Sequence, residues 1–470
     1  MADEIETKPL GLLKSVGLAL GAAVAFTLAY SIPRGGFLMI GFLYCLLALA
    51  KFGTARHAFY LGLAVGMSVY SFQLSFFYNI FSAAAIVLWL ILSFWLALFA
   101  LIAHTCFVRF KPTVAAILIP FLWTGVEYFR SELYYLRFSW LNVGFAFSDW
   151  RILPFQILGV YGVGFLFAAY VTIFLTVRRK IYAAVAILLS LGLFAFLLPA
   201  TANSGGTGPR VQVAGVQLEF PFENQIILVL NQLDKRFPRA ELFVLSEYTF
   251  TDPIPERIRA WCHEHHRYLV VGGEDPATNG NYYDTAFVIS TNGEIVFKQA
   301  KSVPIQFFKD GLPAREQKLW DSPWGKIGIC ICYDLSYSRV TDRLIRLGAQ
   351  AIIVPTMDVA DWGRHEHELH ARIAPVRAAE YGVPIFRVAS SGISQLVNRN
   401  GDVQASAPFP GELATISGVL EFRKPGTLPL DRILAPLSVL VTVSVIGSLA
   451  FISFRRKYSK PRQEAGGGSF

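Results

Sequence analysis

Apolar and polar residues divide the chain into two textures. Residues 11–200 are almost continuously apolar, 206–425 interleave charges, turns and short apolar runs, and 433–454 are apolar again. Apolar stretches near 11–32, 36–51, 57–79, 82–108, 113–129, 153–177, 181–200 and 433–454 approach the ~20 residues with which a helix crosses a bilayer, the second and fifth being shortest. The pattern predicts a polytopic α-helical membrane bundle of about eight spans joined to a water-facing domain. The expected division is a membrane domain over 1–205 with about seven spans, a water-facing domain over 206–425, a last span over 426–458 and a basic, Gly-rich tail over 459–470.

Within the polar part the period changes. Strands are predicted at 211–217, 242–246, 268–272, 326–331, 350–354 and 384–389, and helices at 224–236, 254–266, 336–347 and 364–382. Asn292-Gly293 and Asn400-Gly401 signal hairpins, because Asn-Gly suits a tight two-residue turn. Strands that alternate with helices and are broken by hairpins predict a layered α/β domain with a mixed sheet.

Only 16% of the residues are charged, against the ~25% usual in soluble domains, which agrees with the apolar stretches. The net charge of +9 does not point to nucleic acid, because basic residues cluster beside the spans, as in Arg178-Arg-Lys180 and Arg455-Arg-Lys457. With eight spans, Lys51, Arg56, Arg109, Lys111, Arg178–Lys180 and the tail share one side, which positive-inside makes cytoplasmic. The water-facing domain is then expected on the periplasmic side of a bacterial inner membrane. The acidic start, Met1-Ala-Asp-Glu-Ile-Glu, lacks the basic region of a cleaved signal, so the first apolar stretch is expected to be retained. The aromatics between 130 and 152, Trp140 among them, read either as an interfacial belt or as a lipid-entry surface. Of the five cysteines, Cys45 and Cys106 lie in apolar spans, and Cys330 and Cys332 are expected on opposite faces of a strand, so no disulfide framework is predicted.

Three short runs each end an apolar stretch with a reactive side chain. They are Leu242-Phe-Val-Leu-Ser-Glu247, Gly293-Glu-Ile-Val-Phe-Lys-Gln-Ala-Lys301 and Ile327-Gly-Ile-Cys-Ile-Cys332-Tyr-Asp. Cys332 is placed where a strand turns into a helix, which exposes a nucleophile, lets the amide of Tyr333 hold an oxyanion and lowers the thiol pKa. Glu247 is the candidate general base and acid. Lys301 is the candidate oxyanion stabiliser, with Lys298 as its rival. Taken singly, each residue is read more simply as a buried thiol, a solvated strand-end carboxylate or a surface ammonium.

Taken together, Glu247, Lys301 and Cys332 in this order resemble the nitrilase (carbon–nitrogen hydrolase) superfamily. The resemblance implies an αββα sandwich and a Glu-Lys-Cys triad. Arg377-Ala-Ala-Glu-Tyr-Gly-Val-Pro384 and Ser391-Gly-Ile-Ser resemble its later part. Trp123-Thr-Gly-Val-Glu-Tyr-Phe-Arg130, Phe138-Ser-Trp-Leu-Asn-Val-Gly-Phe145 and Gly159-Val-Tyr-Gly-Val-Gly-Phe165 are similar to segments of the membrane-embedded branch, the bacterial apolipoprotein N-acyltransferases. That likeness implies a phospholipid acyl donor, a Cys332 thioester and a lipid-modified apolipoprotein cysteine whose N-terminal amine accepts the chain. It implies no metal and no organic cofactor. The run Lys301-Ser-Val-Pro-Ile-Gln-Phe-Phe308 is shorter than the family's and lacks its Gly-Glu, so the second glutamate of the family's site has no match; Gln306 is its neighbour only. Gln306, Phe307, Phe308 and Trp140 are candidate lid or lipid contacts.

Other readings weigh less. His263-Glu-His-His266 and His365-Glu-His-Glu-Leu-His370 do not have zinc spacing. A transporter would need more than His104 and Glu127 as ionisable residues within spans. A membrane-anchored amidase uses the same triad but needs only one anchor.

Overall fold

The computed structural model describes residues 10–458 apart from 151, 178, 183, 186–187, 190–191, 193–207 and 252. The membrane part contains α1 (Leu12–Ser31), α2 (Leu38–Phe52), α3 (Ala55–Gln73), α4 (Phe76–Phe81), α5 (Ala84–Arg109), α6 (Pro112–Tyr128) and α7 (Phe155–Thr176). Among the described residues, six helical stretches are long and apolar enough to cross a membrane: Leu12–Ser31, Gly35–Phe52, Ala84–Arg109, Pro112–Leu133, Phe155–Thr176 and Asp431–Ile452. The stretch expected to span 181–200 lies largely outside the described residues.

The stretch expected as one span at 57–79 is divided. Helix α3 stops at Gln73, Leu74 leaves helical geometry at φ −113° and ψ 35°, and α4 starts afresh. The indole Nε1 of Trp89 donates to the Leu74 carbonyl at 3.1 Å, which satisfies an acceptor at the break. Apolar periodicity cannot register this, since the break is decided by a partner on α5.

Helix α7 contains a second break. Gly159 has φ +72°, so the next amides lose their intrahelical acceptors. Two carboxylates take them: Val160 N donates to Glu380 at 3.0 Å and Tyr161 N to Asp431 at 3.0 Å. Acidic groups at freed helical amides are favourable on both hydrogen-bonding and dipole grounds.

The polar part contains two six-stranded sheets. The first joins β1 (Arg210–Val216), β2 (Leu242–Val244), β3 (Tyr268–Pro276), β4 (Tyr282–Ile289), β5 (Ile295–Ala300) and β12 (Thr415–Glu421) in the order β12-β1-β2-β3-β4-β5. The second joins β6 (Leu319–Ser322), β7 (Gly325–Ile329), β8 (Ala351–Thr356), β9 (Ile385–Ala389), β10 (Ser394–Val397) and β11 (Val403–Ala407) in the order β11-β10-β9-β8-β7-β6. Each has a parallel centre, β1-β2-β3 and β7-β8-β9, flanked by antiparallel strands. The inner faces meet through Val213, Val244, Val270, Ile327, Ile329, Ile353 and Val388, all buried.

Helices α8 (Glu223–Arg236) and α9 (Glu256–His265) cover the outer face of the first sheet through Ile226, Leu230, Ile258 and Trp261. Helices α10 (Ser338–Arg346), α11 (Arg364–Ala371) and α12 (Ile373–Tyr381) lie by the second sheet, with Val340, Leu344 and Val376 packed against Ile352 and Ile385. The layers are therefore αββα. This second helical layer shares one hydrophobic core with the membrane helices, including Phe145, Val160 and Val163. The last helix, α13 (Asp431–Tyr458), is tied to it by Arg432, which pairs with Asp342 at 2.7 Å and Glu380 at 3.1 Å.

Candidate active site

Glu247, Lys301 and Cys332 are brought to one place from three different elements. Glu247 follows β2, Lys301 follows β5 and Cys332 opens a short 3-10 turn over Cys332–Ser336 after β7. All three are buried, at 1%, 1% and 2% exposure, which removes the solvated and surface readings of the two charged residues. Lys301 Nζ donates to Glu247 Oε1 at 2.7 Å. The peptide of Met357 joins the other two: its N–H donates to Glu247 Oε2 at 2.6 Å, and its carbonyl accepts from Cys332 Sγ at 3.6 Å. The rival Lys298 sits apart and exposed, paired with Asp275 at 3.0 Å.

Two further carboxylates, absent from the sequence reading, surround the same ammonium. Asp310 lies 2.8 Å and Asp284 3.5 Å from Lys301 Nζ, both buried. Asp310 also accepts from Tyr248 OH at 2.9 Å and Ile305 N at 2.6 Å. An aspartate further along the shortened loop thus reaches the ammonium from the same segment as Lys301. Burial alone would push the Lys301 ammonium down, but Glu247 and Asp310 hold it well above its ordinary value. Burial and the neighbouring Glu247 hold the Asp284 carboxyl well above the usual range, which favours its neutral form, although Lys301 opposes this.

Cys332 departs from expectation in two ways. Helix α10 begins only at Ser338, so no helix N-terminus faces the sulfur. Burial and the Glu247 charge push its thiol well above the ordinary value, not below it, although Lys301 pulls the other way. The thiol therefore needs a base to ionise. Cys330 and Cys332 do lie on opposite sides, but strand alternation would have put residues two apart on one face. The cause is the end of β7 at Ile329 and the left-handed backbone of Cys332 at φ +49°, which turns its side chain into the inter-sheet core.

Asp334 fastens the cysteine turn to the lysine segment. Its carboxylate accepts from Ser302 N at 3.0 Å, Val303 N at 2.7 Å and Ile331 N at 3.2 Å. Burial raises it to about 6, with the Ser302 bond and Lys301 opposing. The membrane part holds the same turn from the other side. Trp140 Nε1 donates to Ser336 Oγ at 2.8 Å, Ser139 Oγ to Ser336 O at 3.1 Å, and Glu132 accepts from Ser338 N at 2.9 Å. Tyr333 packs its ring on Trp140 and Tyr337.

A pocket opens beside Cys332. Its walls are Phe76, Phe77, Ile80 and Phe81 of α4, Leu88, Ile91 and Leu92 of α5, and Phe138 and Trp140. Its polar end is Cys332, Asp358, Glu366 and His370. Phe307 and Phe308 line it while staying 67% and 42% exposed, and both rings pack on Phe81. Gln306 is not at the acid cluster; its amide donates to the Tyr135 carbonyl, tying the Phe307-Phe308 loop to the membrane part. Trp140 is buried, stacked on His370 with ring centroids 4.6 Å apart, so it belongs to the wall and not to an exposed belt.

Among the described residues, Asp358, Glu366 and His367 have ligand atoms close enough for a metal. Asp358 is already ion-paired with Arg387, whose guanidinium occupies the cation position. His365 lies elsewhere, 2.8 Å from Gln73 of α3.

The model for the apolipoprotein N-acyltransferase N-terminal domain matches residues 22–173, and that for carbon-nitrogen hydrolases matches 234–418. The chain carries both an apolipoprotein N-acyltransferase N-terminal domain and a carbon-nitrogen hydrolase domain. It is a membrane protein and an acyltransferase on a nitrilase-like α/β domain. It is 24% identical to the apolipoprotein N-acyltransferase of Geobacter metallireducens, over 81% of this chain and 85% of that one. It is 23% identical to that of Shewanella oneidensis, over 78% and 82%. Among solved structures, Saccharomyces cerevisiae Nit3, a nitrilase-superfamily member, is 20% identical with a TM-score of 0.39, covering 55% of this chain and 97% of its own.

Proposed function

We propose that this acyltransferase moves a fatty acyl chain from a membrane phospholipid to the N-terminal amine of a lipid-modified apolipoprotein cysteine, through a thioester on Cys332. The observation that carries the reading is the placement of Cys332 at the polar end of a pocket walled by α4 and α5. Such a wall accepts an alkyl chain with its carbonyl at the sulfur.

Glu247 takes the Cys332 thiol proton, and the sulfur attacks the ester carbonyl. The Lys301 ammonium and the Tyr333 backbone N–H stabilise the oxyanion. The ester C–O bond breaks, Glu247 returns the proton to the leaving lysophospholipid, and an acyl thioester remains. The acceptor amine then attacks the thioester, the C–S bond breaks, and the product is an amide. Asp310 keeps Lys301 charged and Gln306 anchors a Phe307-Phe308 lid. The catalytic unit is 206–425, held by 1–205 and 426–458 in a bacterial inner membrane. The basic loops support a periplasmic position for the catalytic unit.

The test is purified protein in vesicles of acyl-labelled phosphatidylethanolamine with a synthetic diacylglyceryl-cysteine lipopeptide. Lipopeptide mass should rise by one labelled acyl chain, and not with C332A. Unchanged lipopeptide with the wild-type protein would refute the proposal.

A further inference from the structure

The proposed reaction uses one base, Glu247, yet a second imidazole–carboxylate pair stands at the sulfur. Cys332 Sγ, a carboxylate oxygen of Asp358 and a ring nitrogen of His370 all lie within 4.8 Å of one another. All three residues are buried, and all three line the pocket.

His370 Nδ1 is 2.7 Å from Asp358 Oδ1 and 3.0 Å from Arg387 Nη2. The shorter contact to the carboxylate sets the proton on Nδ1, because Arg387 Nη2 already donates to the other Asp358 oxygen. That leaves the lone pair on Nε2, which is buried and, among the described residues, has no hydrogen-bond partner. A ring stacked on Trp140 and held by a carboxylate has its orientation fixed. A carboxylate that orients an imidazole beside a nucleophilic sulfur, with the far ring nitrogen left to accept a proton, is the arrangement of a general base. Glu247, by contrast, has both oxygens engaged, by Lys301 and by Met357 N.

We infer that His370, oriented by Asp358, is the general base of the second half-reaction. It takes the proton that the acceptor amine loses when its nitrogen forms the C–N bond and the thioester C–S bond breaks. The electron pair goes to the Cys332 thiolate, to which His370 then returns the proton. Asp358 is a positioning residue. Burial lowers the imidazole, although the Asp358 carboxylate opposes this, so His370 enters the step neutral. The groups facing it are Asp358, Arg387, Glu366 and Cys332.

This assignment rests on the thioester reading, and a two-stage experiment separates their failures. Full-length wild type, H370Q and D358N are charged with phosphatidylethanolamine vesicles, and the thioester is counted by intact mass. Lipopeptide is then added, and discharge is followed across pH. Charging of H370Q should stay within about threefold of wild type, which also shows that the variant is folded. Its discharge should fall about 100-fold or more, the size usual for a positioned base. The residual rate should climb with pH as free amine accumulates. D358N should fall less, with the same pH signature. Equal losses in charging and discharge, or no loss in discharge, overturn the inference. Failure of H370Q to charge at all likewise overturns it, because His370 would then be structural. Failure of the wild type to charge refutes the thioester reading and removes the basis for this one.

Discussion

Asp284 and Asp310 flank the same ammonium in different surroundings, and their amide variants should part accordingly. Asp310 makes three contacts, to Lys301, Tyr248 and Ile305 N. In Asp310→Asn the amide oxygen can keep both Lys301 and Ile305, which share Oδ2, but the negative charge opposite Lys301 is lost and an NH2 replaces the Oδ1 that accepts from Tyr248 OH. Breaking a buried pair of this kind costs about 3–5 kcal/mol. Asp284 lies farther from the ammonium, at 3.5 Å, and burial and Glu247 push its carboxyl toward the neutral form. Asp284→Asn exchanges one neutral group for another of the same shape and should cost within about 1 kcal/mol at pH 5. The difference then changes with pH. The folded state keeps the Asp284 proton where an unfolded aspartate, with a pKa near ~3.9, has lost it, so native stability falls as pH rises. That loss amounts to at most about 1.4 kcal/mol per pH unit until the folded-state value is reached. D284N lacks this term, so it should gain on the wild type between pH 5 and 7 by up to ~3 kcal/mol. Melting temperatures in detergent at both pH values measure this; the relative gain is on the order of 3 °C for a chain of this length. Parallel pH curves for wild type and D284N, or equal damage from D284N and D310N at pH 5, would refute the assignment.

Three further outcomes follow from the packing. Gly159→Ala forces a side chain into a left-handed backbone and into the Asp431 carboxylate, and should lower stability by about 2–4 kcal/mol, read as a fall in melting temperature. Trp140→Phe keeps a ring against His370 but loses the bond to Ser336 Oγ; stability should fall by about 1–2 kcal/mol in thermal melts. Replacing Phe307 and Phe308 by Ser should raise the KM for vesicle phospholipid several-fold with kcat held, because both rings line the pocket while exposed; a change confined to kcat would count against a lid.

Much of this architecture was legible in the chain. Glu247, Lys301 and Cys332 each end an apolar run, and a side chain at a strand end is placed by the strand, so short-range pattern suffices. Asp284 and Asp310 carry no such mark. Asp284 sits in a strand beside Tyr282, Tyr283 and Thr285, and Asp310 in a Gly-containing loop, so both read as solvated. Only the fold brings them onto one ammonium. His370 read as part of a polar helix because its partners, Asp358, Arg387 and Trp140, come from other elements. The breaks at Leu74 and Gly159 were hidden for a similar reason: the groups that satisfy their freed amides and carbonyls, Trp89, Glu380 and Asp431, are distant in sequence. Composition also misled about Cys332, since a turn before a helix suggested a lowered thiol pKa, whereas burial beside Glu247 raises it.

The central claim is that Cys332 carries the acyl group. Intact-mass spectrometry after incubation with phosphatidylethanolamine tests it most directly. The account predicts a fatty-acyl increment that neutral hydroxylamine removes and that C332A lacks. A folded wild-type protein with no adduct and uncleaved lipid, or an adduct that persists in C332A, would contradict it.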